Sequence, residues 1–243
     1  MSEPNIRSGQ ITAIRESTRD PERVTIDIDG RFAFAISRLL AAEYHLQVGL
    51  ALTETDLAAL LAAGEVERAT DSALRFLAYR PRSTREVTDR LRQRGYSDQA
   101  IDAAIEKLRG WRYLDDREFA RFWVENRLEN RPAGSRRLRQ ELRQKGVDSE
   151  VVDQTIEETE VDELPAAIEL ARKRVARLLE LDPMVQRRRL AGFLQRRGYG
   201  WDIVKPAIDR VLGEMDEDAE SVSPNDLPSP RIGRGSVRAG DEG

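Results

Sequence analysis

The 243-residue chain has no cysteine and a single histidine. Without thiols there is no disulfide, no iron–sulfur cluster, no cysteine-ligated zinc and no thiol nucleophile. The lone His45, in "AAEYHLQVG", cannot build a multi-histidine metal site and has no obvious catalytic partner beside it. Aromatic residues make up only 6% of the chain, so the core must be built mostly from Leu, Ile, Val and Ala. No apolar run approaches the ~20 residues needed to span a bilayer. The opening "MSEPNIRSGQ" lacks the apolar stretch of a secretory signal. There is no glycine-rich phosphate loop, no metal-ligand spacing and no nucleophile–base–acid set. The expectation is a cytoplasmic, soluble protein, with no residue set for a metal.

Charge is plentiful by contrast. Charged residues reach 35%, rich in Arg and Glu, a composition of solvent-facing helices, and the net charge is −4. That average hides a strong alternation. Residues 80–145 carry 18 basic and 11 acidic side chains, whereas residues 146–165 carry eight acids and no base.

The first 68 residues differ in pattern from the rest. "RVTIDIDGRFAFAIS" alternates β-branched and aromatic residues, with Val24, Ile26 and Ile28 on one face answered by Phe32, Phe34 and Ile36. Asp29-Gly30 between them is a two-residue hairpin turn, and residues 10–15 offer a third strand. A hairpin is marginal alone, so this sheet is expected to pack on the helical segments that follow, the second of them capped by Thr53 or Thr55.

From residue 69 onward the pattern is helical and repeats itself. "LRQRGY" (91–96), "LRQKGV" (142–147) and "LQRRGY" (194–199) recur at intervals of 51 and 52 residues. Aligned on Gly95, Gly146 and Gly198, the apolar positions agree far beyond the phrase. Leu91, Leu142 and Leu194 stand four before the glycine, and Val87, Leu138 and Leu190 stand eight before it. Ile101, Val152 and Val204 follow six after it, and Ile105, Ile156 and Ile208 ten after it. Pro81, Pro132 and Pro183 keep the same rhythm. This is a threefold internal repeat.

Each unit parses into three helices. The first helices fall at about 69–79, 116–128 and 164–181 and stop near the proline. The second ends at the glycine, the usual left-handed stop. Ser97 or Asp98, and Asp148 or Ser149, cap the third helices, while Asp115 with Glu118 suits a capping box at 116. The fold class expected is mainly α. Its parts are a small N-terminal β-hairpin and helix subdomain (1–68), three three-helix repeats (69–114, 115–163, 164–213) and a disordered acidic, then Pro/Ser/Gly-rich tail (214–243).

The basic charge sits on the second helices in register. At ten, three and one residues before the glycine stand Arg85, Arg92 and Arg94. The middle unit has Arg136, Arg143 and Lys145, and the last has Arg188, Gln195 and Arg197. Arg137 and Arg139 thicken the middle patch, and Arg187 and Arg189 the last. Seven residues is two helical turns, so the first two positions share a face beside the apolar stripe. Cations near a helix C-terminus gain ~0.3–1 kcal/mol from the macrodipole, which accounts for Arg94, Lys145 and Arg197 without a ligand. It does not account for the other positions. Two readings stay open: a surface for a polyanion or acidic partner, and a solvated helix face. Trp111, Tyr113 and Leu114 read as packing between repeats rather than a base-stacking platform, and Phe119, Phe122 and Trp123 as core. Asp115 and Asp116 read as caps rather than a catalytic pair.

"ALRFLAYRPRSTREVTDRLRQRGY" followed by "IEKLRGWRYLDDREFARFWVENR" resembles the RecX family of regulators of the RecA recombinase. The likeness lies in an Ala-Leu helix, Arg-Pro-x-Ser, a glycine-ended helix and a Tyr-Leu-Asp-Asp junction. "RRLRQELRQKGV" and "LAGFLQRRGY" continue it, so that it covers about residues 69–213. The resemblance implies three tandem three-helix repeats in an elongated, curved array. It also implies a protein that is not an enzyme, needs no cofactor, binds RecA–single-stranded DNA filaments and limits their growth, ATP hydrolysis and strand exchange. Nothing in the residues demands more than a monomer. Inhibition is the leading expectation, with stimulation left open, and duplex DNA is a secondary, non-specific partner. The third unit departs, with Gln195 in place of a base and Asp182-Pro183 in place of Arg-Pro.

Three rivals follow from the same residues. A sequence-specific helix-turn-helix regulator is disfavoured because the third helix "DSEVVDQTIEET" is acidic and phosphate would repel it. A helical-repeat scaffold for proteins fits the architecture but not the basic register. An enzyme with an unrecognised site fits least.

Overall fold

A computed structural model describes residues 8–18, 20–159 and 162–221, and side chains as far as Met215. Ten helices and one four-stranded sheet make up the described chain.

The N-terminal alternation forms strands β1 (Gly9–Glu16), β2 (Arg23–Ile28) and β3 (Arg31–Ser37). With β4 (Ala51–Leu52) they give an antiparallel sheet in the order β3-β2-β1-β4. Asp29 and Gly30 have φ of 49° and 76°, the two positive values of a tight hairpin turn. One expectation is corrected. The β2–β3 register slips between Ile26, opposite Phe34, and Asp27, opposite Phe32. A one-residue slip exchanges the faces of a strand. Ala33 therefore turns inward and Phe32 is 67% exposed. Ile11, Ile26 and Ile36 fill the sheet's inner face with Leu57 and Leu60 of the following helix. Helix α1 (Arg38–Glu43), capped by Ser37, ends just before His45, which is exposed at φ 49° in a turn.

Helix α2 runs unbroken from Glu54 to Leu77, merging two helices that the sequence pattern separated near residue 68. Thr53 caps it in a full capping box with Asp56. Gly64 lies inside it, where a methyl would make only ordinary contacts with Arg68, Ile36 and Leu40. The first half of α2 covers the sheet, and Ala69 and Ala73 in its second half enter the first repeat core.

The repeats follow as α3 (Thr84–Gln93) and α4 (Asp98–Gly110), then α5 (Asp116–Asn130), α6 (Ser135–Gln144) and α7 (Ser149–Glu158), then α8 (Glu163–Val175), α9 (Pro183–Arg196) and α10 (Trp201–Ser221). Every one of the twelve apolar repeat positions is at most 6% exposed. They divide among three separate cores. Gly95, Gly146 and Gly198 have φ of 82°, 79° and 92° and stop the second helices as expected. Ser97 and Asp148 cap α4 and α7. Asp115 caps α5 through the N–H groups of Arg117 and Glu118, with no bond back from Glu118 among the described residues, so the capping box is half made. Helix α8 stops at Val175, short of the expected 181, and Gln186 donates to the carbonyls of Leu179 and Leu181 in the turn beyond it. Helix α10 continues past Gly213 to Ser221, so eight residues assigned to the tail are helical. Residues 222–243, the rest of that tail, lie outside the described residues.

The contacts divide the chain into two units. One holds residues 1–133 and 137–161, the other 134–136 and 162–243.

Candidate nucleic-acid interface

The basic residues of the second helices occupy two kinds of place. Some are tied to neighbouring parts of the fold, Lys145 and Arg197 half-buried and Arg94 exposed. Lys145 Nζ donates to Glu86 at 2.9 Å and lies 4.3 Å from the centre of the Trp123 ring. Arg94 reaches Ser72 Oγ at 2.9 Å. Arg197 stacks on Phe193 at 4.9 Å. Others point outward and are tied to nearby acids. Arg85 faces Asp89 at 3.8 Å and Arg92 meets Asp98 at 3.0 Å. Arg137 meets Glu141 at 3.0 Å, and Arg139 and Arg143 share Asp153 at 2.8 and 3.4 Å. Arg187 pairs with Asp209. Arg136 and Arg188 are exposed and have no ion partner among the described residues; Arg189 is exposed too.

The strength of these ties decides what the surface can do. Arg85, Arg92 and Arg143 are half or more exposed, and exposed pairs hold with about 0–1 kcal/mol. A phosphate replaces such a partner at little loss, so these guanidiniums remain available to an anion. Glu86 and Glu141 are different. Burial pushes the Glu86 carboxyl up, but bonds from Lys145 and Arg80 outweigh it and hold it below the usual range. Burial likewise opposes Glu141, and bonds from Arg137 and Arg127, with Trp123 Nε1, hold it down. Arg127 donates to both Glu141 oxygens at 2.7 and 2.8 Å. These two carboxylates anchor the basic helices.

A joint that the sequence did not reveal places one helix against the next. Ser83, twelve residues before Gly95, donates its hydroxyl to the carbonyl of Lys145 at 2.6 Å. Gly134, twelve before Gly146, donates its N–H to the carbonyl of Arg197 at 3.0 Å. The same register position thus caps the end of the next repeat's second helix, once in each unit. The first joint brings Arg85 against Gly146, beside Lys145, because a Cβ at Gly146 would lie 2.3 Å from Arg85 Cδ. Asp153 lies on α7, so part of the acidic block neutralises α6 locally, a pairing across helices that counting along the chain cannot see.

The aromatic expectations divide. Leu114 and Phe119 are buried as expected, and Trp123 packs at the edge of the core. Trp111 and Tyr113 are instead 54% and 62% exposed, and Phe122 is 38% exposed. They do not pack between repeats; Tyr113 and Phe122 line an open cleft.

Comparison with known proteins gives four matches in chain order. Residues 9–53 match the regulatory protein RecX N-terminal domain, and 69–108, 115–156 and 160–208 match the first, second and third three-helix domains of RecX. The chain belongs to the RecX family. The N-terminal sheet is therefore part of the family pattern and not an addition to it. Regulatory protein RecX of Bacillus licheniformis is 31% identical over 211 residues, 86% of this chain and 80% of the relative. Those of Bacillus subtilis and Listeria monocytogenes are 30% identical over 211 and 212 residues, 86% and 85% of this chain and 80% and 77% of theirs. A crystal structure of regulatory protein RecX superposes with a TM-score of 0.73 at 23% identity, covering 82% of this chain and 98% of that one. The structure of RecX from Lactobacillus salivarius gives 0.58 at 22% identity over 61% and 97%. These two show the fold.

No helix among the described residues is long and apolar enough to cross a membrane.

Proposed function

We propose that this RecX-family chain is a non-enzymatic modulator of the RecA recombinase, acting in recombinational DNA repair. It binds RecA–single-stranded DNA filaments and limits their growth, ATP hydrolysis and strand exchange. The observation that carries the reading is the match of all four RecX domains, in order, over most of the chain. The exposed guanidiniums support it. Arg85, Arg92, Arg136, Arg137, Arg139, Arg143 and Arg188 meet phosphate or acidic protein surface, while Lys145, Arg94 and Arg197, tied to Glu86, Ser72 and Phe193, position them.

The test is the triple variant Arg136→Glu, Arg139→Glu, Arg143→Glu, assayed by co-sedimentation with RecA–single-stranded DNA filaments. Filament binding should be lost with helicity by circular dichroism unchanged. Retained binding overturns the assignment of the basic face. A protein scaffold with no nucleic acid is the second reading, which the shared Asp153 favours by neutralising part of α6. Under it, binding to naked DNA is absent at all salt concentrations.

A further inference from the structure

A cleft of about 700 Å³ opens in the first unit between the end of α2, the loop before α3, and the α4–α5 junction. Its floor is the buried Phe119, and its walls carry Tyr79, 86% exposed, with Tyr113 and Phe122. Three aromatic rings left in water in a chain with so few of them is an unusual expense of apolar surface. Two guanidiniums line it. Arg80 is tied to Glu86 at 3.1 Å. Arg82 makes no salt bridge among the described residues, though Glu86 acts on its charge; its Cζ lies 4.1 Å from the centre of the Phe76 ring and its buried Nε makes no hydrogen bond. Burial and the charge of Arg80 pull the Arg82 pKa down more than Glu86 raises it, and an anion between the two guanidiniums would relieve that. Two carboxylates line it as well. Asp115 is spent on the cap of α5, and Glu118 is exposed.

We infer that this cleft takes an unpaired base of a single-stranded nucleic acid, stacked on Tyr79 and Tyr113 with its phosphate on Arg82. The layout matches that chemistry from end to end. Aromatic faces accept any base, and arginine holds the backbone. The mixed charge argues against a plain polyanion site, since the four charged side chains cancel. The inference goes beyond the basic face of the second helices in naming bases rather than phosphates as what is gripped. Its test uses naked DNA without RecA, so a failure here and a failure of RecA regulation are read by different assays.

The experiment is fluorescence anisotropy of a labelled oligothymidylate and of an abasic strand of equal length, titrated with the full chain. In Tyr79→Ala/Tyr113→Ala the affinity for oligothymidylate should fall by about tenfold or more, within what stacking on aromatic side chains contributes. Affinity for the abasic strand, and the salt slope on both, should not change. Tyr79→Leu/Tyr113→Leu, which keeps apolar bulk without a ring, should show the same loss. Arg82→Gln should instead reduce the salt slope by about 0.7 on both strands. Equal binding by variant and parent overturns the inference, as does an equal loss on both strands. Unchanged oligonucleotide binding with loss of binding to RecA-coated filaments also overturns it, and makes the cleft a protein-docking surface.

Discussion

Replacing Glu86 with Gln should unfasten the joint between the first two repeats. The carboxylate accepts from Lys145 Nζ at 2.9 Å, from Arg80 at 3.1 Å and from the Ser83 N–H at 3.3 Å. Its side chain is 21% exposed and that of Lys145 is 20% exposed. This places the pair between an exposed one, at about 0–1 kcal/mol, and a fully buried one, whose breakage costs about 3–5 kcal/mol. Gln keeps one acceptor but no charge, and Lys145 stays over Trp123 without a counter-ion. The expected loss is about 2 kcal/mol, measured as a shift of the urea midpoint by circular dichroism. Lys145→Met should lose less, because it removes the stranded charge, and the double variant should show a coupling of about 1 kcal/mol or more. The pH dependence has a fixed sign. A folded pKa held below the unfolded value contributes stability above the unfolded pKa of about 4.3, and that contribution fades as pH falls through the folded value. The gap between wild type and Glu86→Gln should therefore narrow below about pH 4. A loss under about 0.5 kcal/mol at neutral pH, or a gap that widens in acid, would refute the joint.

Glycine replacements should rank by what their Cβ meets. Gly95→Ala, with open space around it, should lose about 1 kcal/mol from its left-handed backbone alone. Gly146→Ala should lose more, since its Cβ also strikes the stem of Arg85, and Gly134→Ala, 2.3 Å from the Gly198 carbonyl oxygen, about 2–3 kcal/mol; urea titration of the three gives the order. Tyr199 is 1% exposed and its hydroxyl has no partner among the described residues. Burial, with the charge of Glu163, lifts its pKa to about 12. Tyr199→Phe should thus hold or raise stability by about 1 kcal/mol, and ultraviolet titration should find a tyrosine that ionises well after the exposed ones. Thr53→Ala should cost about 1 kcal/mol through the lost capping box of α2, read by the same denaturation.

Much of this molecule was legible from periodicity. The twelve core positions, the three left-handed glycines and the caps Ser97 and Asp148 are local patterns, repeated, and each repetition strengthened the others. The errors came where local signals conflict with tertiary ones. Phe32 alternates correctly along the strand, but a bulge that depends on the partner strand turns it out. The sequence pattern divides α2 near residue 68, where the repeat begins, although good helix formers on both sides join its two halves and two cores hold them. The basic register was visible, yet its division into anchored and exposed cations was not. Glu86 and Lys145 are 59 residues apart, and only folding introduces them. The aromatic cleft escaped for the same reason, since Tyr79 and Tyr113 belong to different helices' ends.

The central claim is regulation of RecA through its filament. The measurement that tests it most directly is single-strand-dependent ATP hydrolysis by the host's RecA, with this protein titrated in far below one copy per RecA. At such ratios competition for DNA cannot account for an effect. The account predicts that the rate falls. An unchanged rate, even at equimolar protein, would contradict it.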